Sequence, residues 1–171
     1  MTDSLPQGLV ERGHAPRLAS FRADGQDRYG VVTTQGVVDL TPEFGARFAG
    51  LKAAVQAGAL NTLAAAAVGR SPAWGVDDVT FTIPIADPEK ILCVGVNYPD
   101  RNAEYQDGQA EAARPSLFPR FTRSFTGHNQ PLIRPPESEK LDYEGEVAIV
   151  IGKGGRRIAP EAAYDHIAAL T

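Results

Sequence analysis

The chain has 171 residues, 43% hydrophobic and 22% charged, close to ordinary globular values, which excludes wholesale disorder. Seventeen basic residues against 21 acidic ones leave a net charge of −4, without the basic excess of a non-specific nucleic-acid or anionic-membrane binder. One cysteine, Cys93, excludes an internal disulfide framework or a cysteine zinc cluster, and no apolar run nears the ~18–20 residues of a membrane span.

Residues 1–15 carry Gly, Pro and scattered charge without a period and read as a tail. Met1 to Arg12 lacks the apolar stretch of a secretory signal, so the expected location is cytoplasmic. From Arg17 to Leu40 three apolar-rich runs are divided by Asp24-Gly25 and Gln35-Gly36, which predicts a three-stranded meander. Phe48 to Val68 is Ala-rich, with Leu51, Val55, Leu60 and Leu63 at helical spacing. Gly58 and Asn61 interrupt it, so it predicts two short helices or one broken helix. These elements form a small α+β domain over 16–80 without chemical side chains, hence structural.

Residues 81–171 read differently. Phe81–Ile85 and Ile91–Val96 suggest strands, the second apolar throughout and therefore expected to be buried on both faces. Asp87-Pro88 separates them. Asn102–Ala113 suits a polar helix stopped by Pro115, and Leu132–Pro136 is a short extended piece. Leu141–Gly152 is the clearest strand, Gly152–Gly155 a hairpin turn, and Pro160–Leu170 a helix with proline in its first turn.

Chemistry concentrates in Asp142-Tyr143-Glu144-Gly145-Glu146. In a strand, Asp142, Glu144 and Glu146 share a face at steps of about 6.6 Å. Like charges that close repel, and burying an unpaired carboxylate costs several kcal/mol. A hard divalent cation ligated by oxygen would remove both problems. Gly145 between them is expected to allow a close backbone approach. A solvated strand end with its carboxylates paired to Arg or Lys explains the same residues, and spacing does not choose between the two.

Ile91–Ile151 resembles the fumarylacetoacetate hydrolase superfamily. The resemblance rests on Gly95-Val96-Asn97-Tyr98 ending a strand, then Pro115–Phe118, then Gly127–Pro131, then the D-Y-E-G-E run before an apolar strand. It implies an α+β, mainly β fold, with 81–171 forming the first part of a mixed β-sandwich roll. It also implies that Glu144 and Glu146 are two of three carboxylate ligands to Mg or Mn. The implied chemistry is on a 2-oxo or β-diketo acid whose enolate the metal stabilises, as in aromatic-compound degradation, by a homodimer or larger homo-oligomer.

Two departures stand out. Glu104 matches a family Glu, but Arg101 stands where many members have a His. A guanidinium is no general base near neutral pH, though it suits a substrate carboxylate. This tilts the expectation from C–C hydrolysis towards an isomerase, hydratase or decarboxylase; an i,i+3 surface pair is the structural alternative. The family's third metal carboxylate lies downstream of Thr171, so the chain is expected to be the first portion of a longer protein. A catalytically silent interaction or dimerisation module is the alternative function.

Arg120 falls where relatives often carry a Lys near the pocket and is a further substrate-carboxylate candidate. Cys93 is expected to be inert packing, His128 a loop residue at family-matching spacing, and His166 a surface residue of the last helix. Gly152-Lys153-Gly154-Gly155 lacks phosphate-loop spacing.

Overall fold

A computed structural model of the chain describes residues 15–96 and 114–171. The expected meander forms as β1 (Arg17–Ala23), β2 (Gln26–Thr33) and β3 (Gly36–Asp39). Asp24 and Gly25 both take positive φ, 49° and 71°, the hand that lets a two-residue turn follow the twist of its strands. Strand β4 (Thr80–Phe81) joins the far side of β1, giving the antiparallel order β3-β2-β1-β4. It is shorter than the Phe81–Ile85 expectation, and Pro84 has no amide to donate to a ladder. A side chain at Gly30 would meet the Val38 carbonyl across the ladder, which fixes that position as glycine.

Helices α2 (Leu51–Gln56) and α3 (Leu60–Ala66) divide the Ala-rich stretch in two, after a short α1 (Thr41–Phe44) that no periodicity announced. The sheet is covered on both faces because its alternation is two-sided. Tyr29, Val31, Val38 and Leu40 pack with Phe48, Leu51, Ala54 and Leu63. On the other face Phe21, Ala23 and Val37 meet Trp74, Val79 and Phe81.

Two polar devices tie these layers together. Arg28 reaches Asp39 at 2.8 Å and its guanidinium lies over the Trp74 ring, while the second Asp39 oxygen accepts the Thr41 amide at 2.9 Å. Buried Tyr29 donates its hydroxyl to the Phe48 carbonyl at 2.8 Å. Burial first, and the Asp39 charge second, raise its pKa above the ordinary 10.0. The folded state therefore holds the phenol proton more tightly than the unfolded chain does. The resulting stability is complete below pH 10 and is lost as pH rises through the folded pKa. Denaturant midpoints should fall above pH 10 in the parent and fall less in Tyr29→Phe. Parallel decline in both proteins would remove Tyr29 as the cause.

The chain divides into two compact units, 1–85 with 126–171, and 86–125. In the second unit β5 (Leu92–Gly95) pairs antiparallel with β6 (Ser116–Pro119), and the Arg120 amide donates to the Ile91 carbonyl. The expectation of burial on both faces is overturned here. Leu92 is 63% and Val94 47% exposed, since among the described residues no layer covers this face of the two-stranded ribbon. Asn97–Ala113, including the expected polar helix, lies outside the described residues.

In the first unit β7 covers only Ile149–Ile151 and pairs antiparallel with β8 (Ile167–Leu170). The strand expected over Leu141–Gly152 is thus mostly unformed. Its ladder continues through Ala148 and Thr171, which exchange both backbone bonds at 2.8 and 2.9 Å. The helix expected over Pro160–Leu170 is instead a 3₁₀ segment, Pro160–His166, followed by β8. Ile167 and Leu170, three apart, have helical spacing, and pairing with β7 overrides it. The link from β7 to β8 is accordingly a long loop rather than the tight hairpin expected at Gly152–Gly155.

Candidate functional site

Asp142–Val147 precedes β7 as irregular, exposed backbone, with the Tyr143 amide turned onto its neighbour's Asp142 carboxylate at 2.9 Å. Glu144 and Glu146 both present exposed side chains here. Without a strand, alternation does not set Asp142, Glu144 and Glu146 on one face, which corrects the geometric premise. Gly145 likewise has open space where a side chain would project, so the close approach expected there is absent.

The donor chemistry suits a hard cation, since both Glu side chains offer carboxylate oxygens two positions apart. Its number is short: among the described residues no three His, Cys, Asp or Glu side chains gather as a ligand set. Arg101 and Glu104 lie outside the described residues, so their proposed lid roles have no geometry here. Arg120 is exposed in the 86–125 unit, its guanidinium over the Phe118 ring at 5.1 Å.

Cys93 is half-buried on β5, opposite Phe118. His128 packs edge-on against Phe81, 6.1 Å between ring centres, with Gly127 against the Phe81 backbone. His166 is not on a helix surface; it is half-buried, and its Nδ1 lies 2.7 Å from the Lys153 carbonyl. The Gly152 amide donates to the His166 carbonyl at 2.9 Å, so His166 clasps the loop after β7. Sequence reasoning also missed Val96, which takes φ 56° although β-branched, immediately before Asn97-Tyr98. Its only signal was its place beside Gly95 at a strand end.

Comparison with known proteins fits the D-Y-E-G-E segment into a wider frame. A model of the fumarylacetoacetate hydrolase C-terminal family matches residues 90–171, which include both Glu residues, β5 to β8 and the 3₁₀ segment. This part of the chain belongs to that family. A solved fumarylacetoacetate hydrolase from Exiguobacterium antarcticum superposes with a TM-score of 0.70 at 30% identity, covering 90% of this chain and 53% of that one. A putative HpcE protein from Mycobacterium smegmatis gives 0.65 at 26% identity over the same shares. The chain therefore has the hydrolase-family fold, α+β with sheets dominating, over most of its length.

Among curated relatives, a mitochondrial oxaloacetate tautomerase of Bos taurus is 35% identical over 112 residues, 66% of this chain and 35% of the relative. An oxaloacetate tautomerase of Bacillus subtilis is 38% identical over 101 residues, 57% of this chain and 33% of the relative. The chain spans about a third of the length of these two relatives. No helix among the described residues is long and apolar enough to cross a membrane.

Proposed function

We propose that this chain is a ligand-bearing portion of an enzyme that interconverts the keto and enol forms of a 2-oxo dicarboxylic acid. The observation that carries this reading is the family match across 90–171, which contains the Glu pair, together with tautomerase relatives of oxaloacetate. Residues 81–171 form the catalytic segment, 16–80 a structural domain, and 1–15 a tail. Glu144 and Glu146 would hold Mg or Mn, with a third carboxylate from elsewhere in the assembled enzyme. Such a cation, bound to a 2-oxo acid, supplies Lewis-acid stabilisation of the enolate charge.

The protein groups divide the remaining work. Arg101 holds the distal substrate carboxylate through its planar fork. Glu104 accepts the proton from the carbon beside the ketone, the enolate oxygen takes a proton from water to give the enol, and both transfers run backwards in the reverse direction. Arg120 is a second carboxylate-binding cation. Tautomerisation needs no activated water, which agrees with Arg101 in the place of a His. The enzyme works as a cytoplasmic homodimer or larger homo-oligomer.

In a longer form carrying the remainder of the fold, Arg101→Ala should raise KM for oxaloacetate at least ~10-fold, about 1.4 kcal/mol. A 2-oxo monocarboxylate should be affected little, and Arg101→Lys should restore only part of the loss. Equal losses on both acids would return Arg101 to a surface role. Absence of enol formation in the longer parent would favour the silent interaction module instead.

A further inference from the structure

Two glycines flank the Glu-bearing segment, and each lies against the sheet-and-helix body of residues 17–81. A Cβ added at Gly127 would stand 2.7 Å from the Phe81 carbonyl oxygen and 3.2 Å from the Thr82 Cα. The neighbouring His128 ring meets the Phe81 ring edge-on, and Phe81 pairs with Phe21 of β1 and packs against the second apolar cluster. At the other end, a Cβ on Gly152 would stand 2.6 Å from the Ala168 Cβ and 3.6 Å from Cγ1 of Val55 on α2. Val55 is buried, yet it belongs to neither apolar cluster of the body. Its cover therefore includes the β7–β8 ribbon at Gly152.

Both contacts lie within one compact unit, 1–85 with 126–171. Between the two glycines, Asp142, Glu144 and Glu146 sit on irregular backbone. A segment of that kind takes its position from the rigid scaffold that holds its ends.

We infer that the body of residues 17–81 is the seat of the Glu-bearing segment, gripping it at Gly127 through Phe81 and at Gly152 through Val55. Val55 and Phe81 are then positioning residues for Glu144 and Glu146, a role that rests on the Glu pair being the metal ligands proposed above. Both grips work through close approach rather than charge. Position 127 requires glycine, because a side chain there would meet the Phe81 carbonyl, a backbone group that cannot turn aside. Val55 requires its full length, because a shorter side chain leaves a void beneath the ribbon. Gly152 directly follows β7, so the second grip reaches Glu146 through a short paired strand.

The test compares two valine truncations in the metal-free 171-residue chain by hydrogen exchange. Val55→Ala weakens the grip on the ribbon, and Val38→Ala removes the same atoms inside the first apolar cluster. The Ala148 and Gly152 amides, which donate to Thr171 and His166, report the ribbon, and the Leu40 amide, which donates to Tyr29, reports the body. Val55→Ala should speed exchange of the ribbon amides at least ~10-fold, whereas Val38→Ala should speed only Leu40. Ribbon amides unmoved by Val55→Ala, or moved alike by both variants, would overturn the inference. Gly127→Ala tests the other grip without truncating an apolar core. In the parent, the Phe81 ring should displace the His128 ring-proton resonances from those of free histidine, and Gly127→Ala should return them. Free-histidine resonances in the parent would also overturn the inference.

Mn titration reads the positioning role. Val55→Ala and Gly127→Ala should each weaken binding at least ~3-fold, and Val38→Ala should leave it unchanged. Equal affinity in all four proteins would overturn that role. A parent that binds no Mn fails the metal reading instead, while the exchange pattern and the His128 resonances, read without metal, decide the seat.

Discussion

Asp39→Ala is expected to cost about 3 kcal/mol of stability, the lower end of the range for breaking a buried ion pair. Asp39 has only 6% of its side chain exposed and Arg28 18%, so removing the carboxylate strands a guanidinium with little water to replace it. The Arg28 Nε is already buried without a hydrogen-bond partner, and the substitution would add to that deficit. Asp39 also receives the Thr41 amide, so the start of α1 loosens as well. Set against a total of about 5–15 kcal/mol for a domain, the loss is large. Urea denaturation should show it as a lower midpoint at unchanged slope. The double variant Arg28→Met, Asp39→Leu should recover most of the loss, because an apolar pair of similar volume removes the stranded charge. A single variant within 0.5 kcal/mol of the parent, on the order of an ordinary surface substitution, would show that the pair is not the pin between β2 and β3.

That pin shows why the two parts of the chain differ in legibility. The meander was readable because Asp24-Gly25 dictates its turn locally and because Tyr29, Val31, Val38 and Leu40 find their cover within the same eighty residues. The helix break at Gly58 was likewise local, whereas α1 was not, since it is set by Asp39 and Tyr29 contacts rather than by periodicity. In 91–171 the pattern was read correctly as apolar, but pairing there is decided by partners distant in sequence. Leu141–Val147 has strand composition without a strand beside it, and Ile167–Leu170 has helical spacing but meets β7. The candidate site divides in the same way. D-Y-E-G-E lies within the stretch that matches the family, while the shared face assumed for Glu144 and Glu146 depends on a ladder that composition alone does not supply. The burial assumed for Leu92 and Val94 failed for the same physical reason: covering a sheet face is a property of the whole fold.

The Glu pair gives the largest effect on binding. Replacing Glu144 or Glu146 with Gln removes one formal charge and leaves a neutral amide oxygen, a weaker ligand for a hard cation. Each substitution should weaken Mn binding at least ~10-fold, and the double variant ~100-fold if the effects add, about 2.7 kcal/mol. Two carboxylates make a weak site, so the titration belongs at high metal concentration in the 171-residue chain and again in a longer form with the remaining ligand. The longer form should bind more tightly and lose more on substitution, because a third ligand makes each of the others part of a closed set. Both side chains are exposed and lie outside any strand, so circular dichroism and the melting midpoint should stay unchanged. That separation matters, because lost binding with an intact fold assigns the effect to the carboxylates themselves. Mn binding of equal strength in the parent and the double Gln variant, measured by calorimetry in the longer form, would remove Glu144 and Glu146 as ligands. The segment would then be a solvated, irregular approach to β7 whose charges serve only pairing with Arg or Lys.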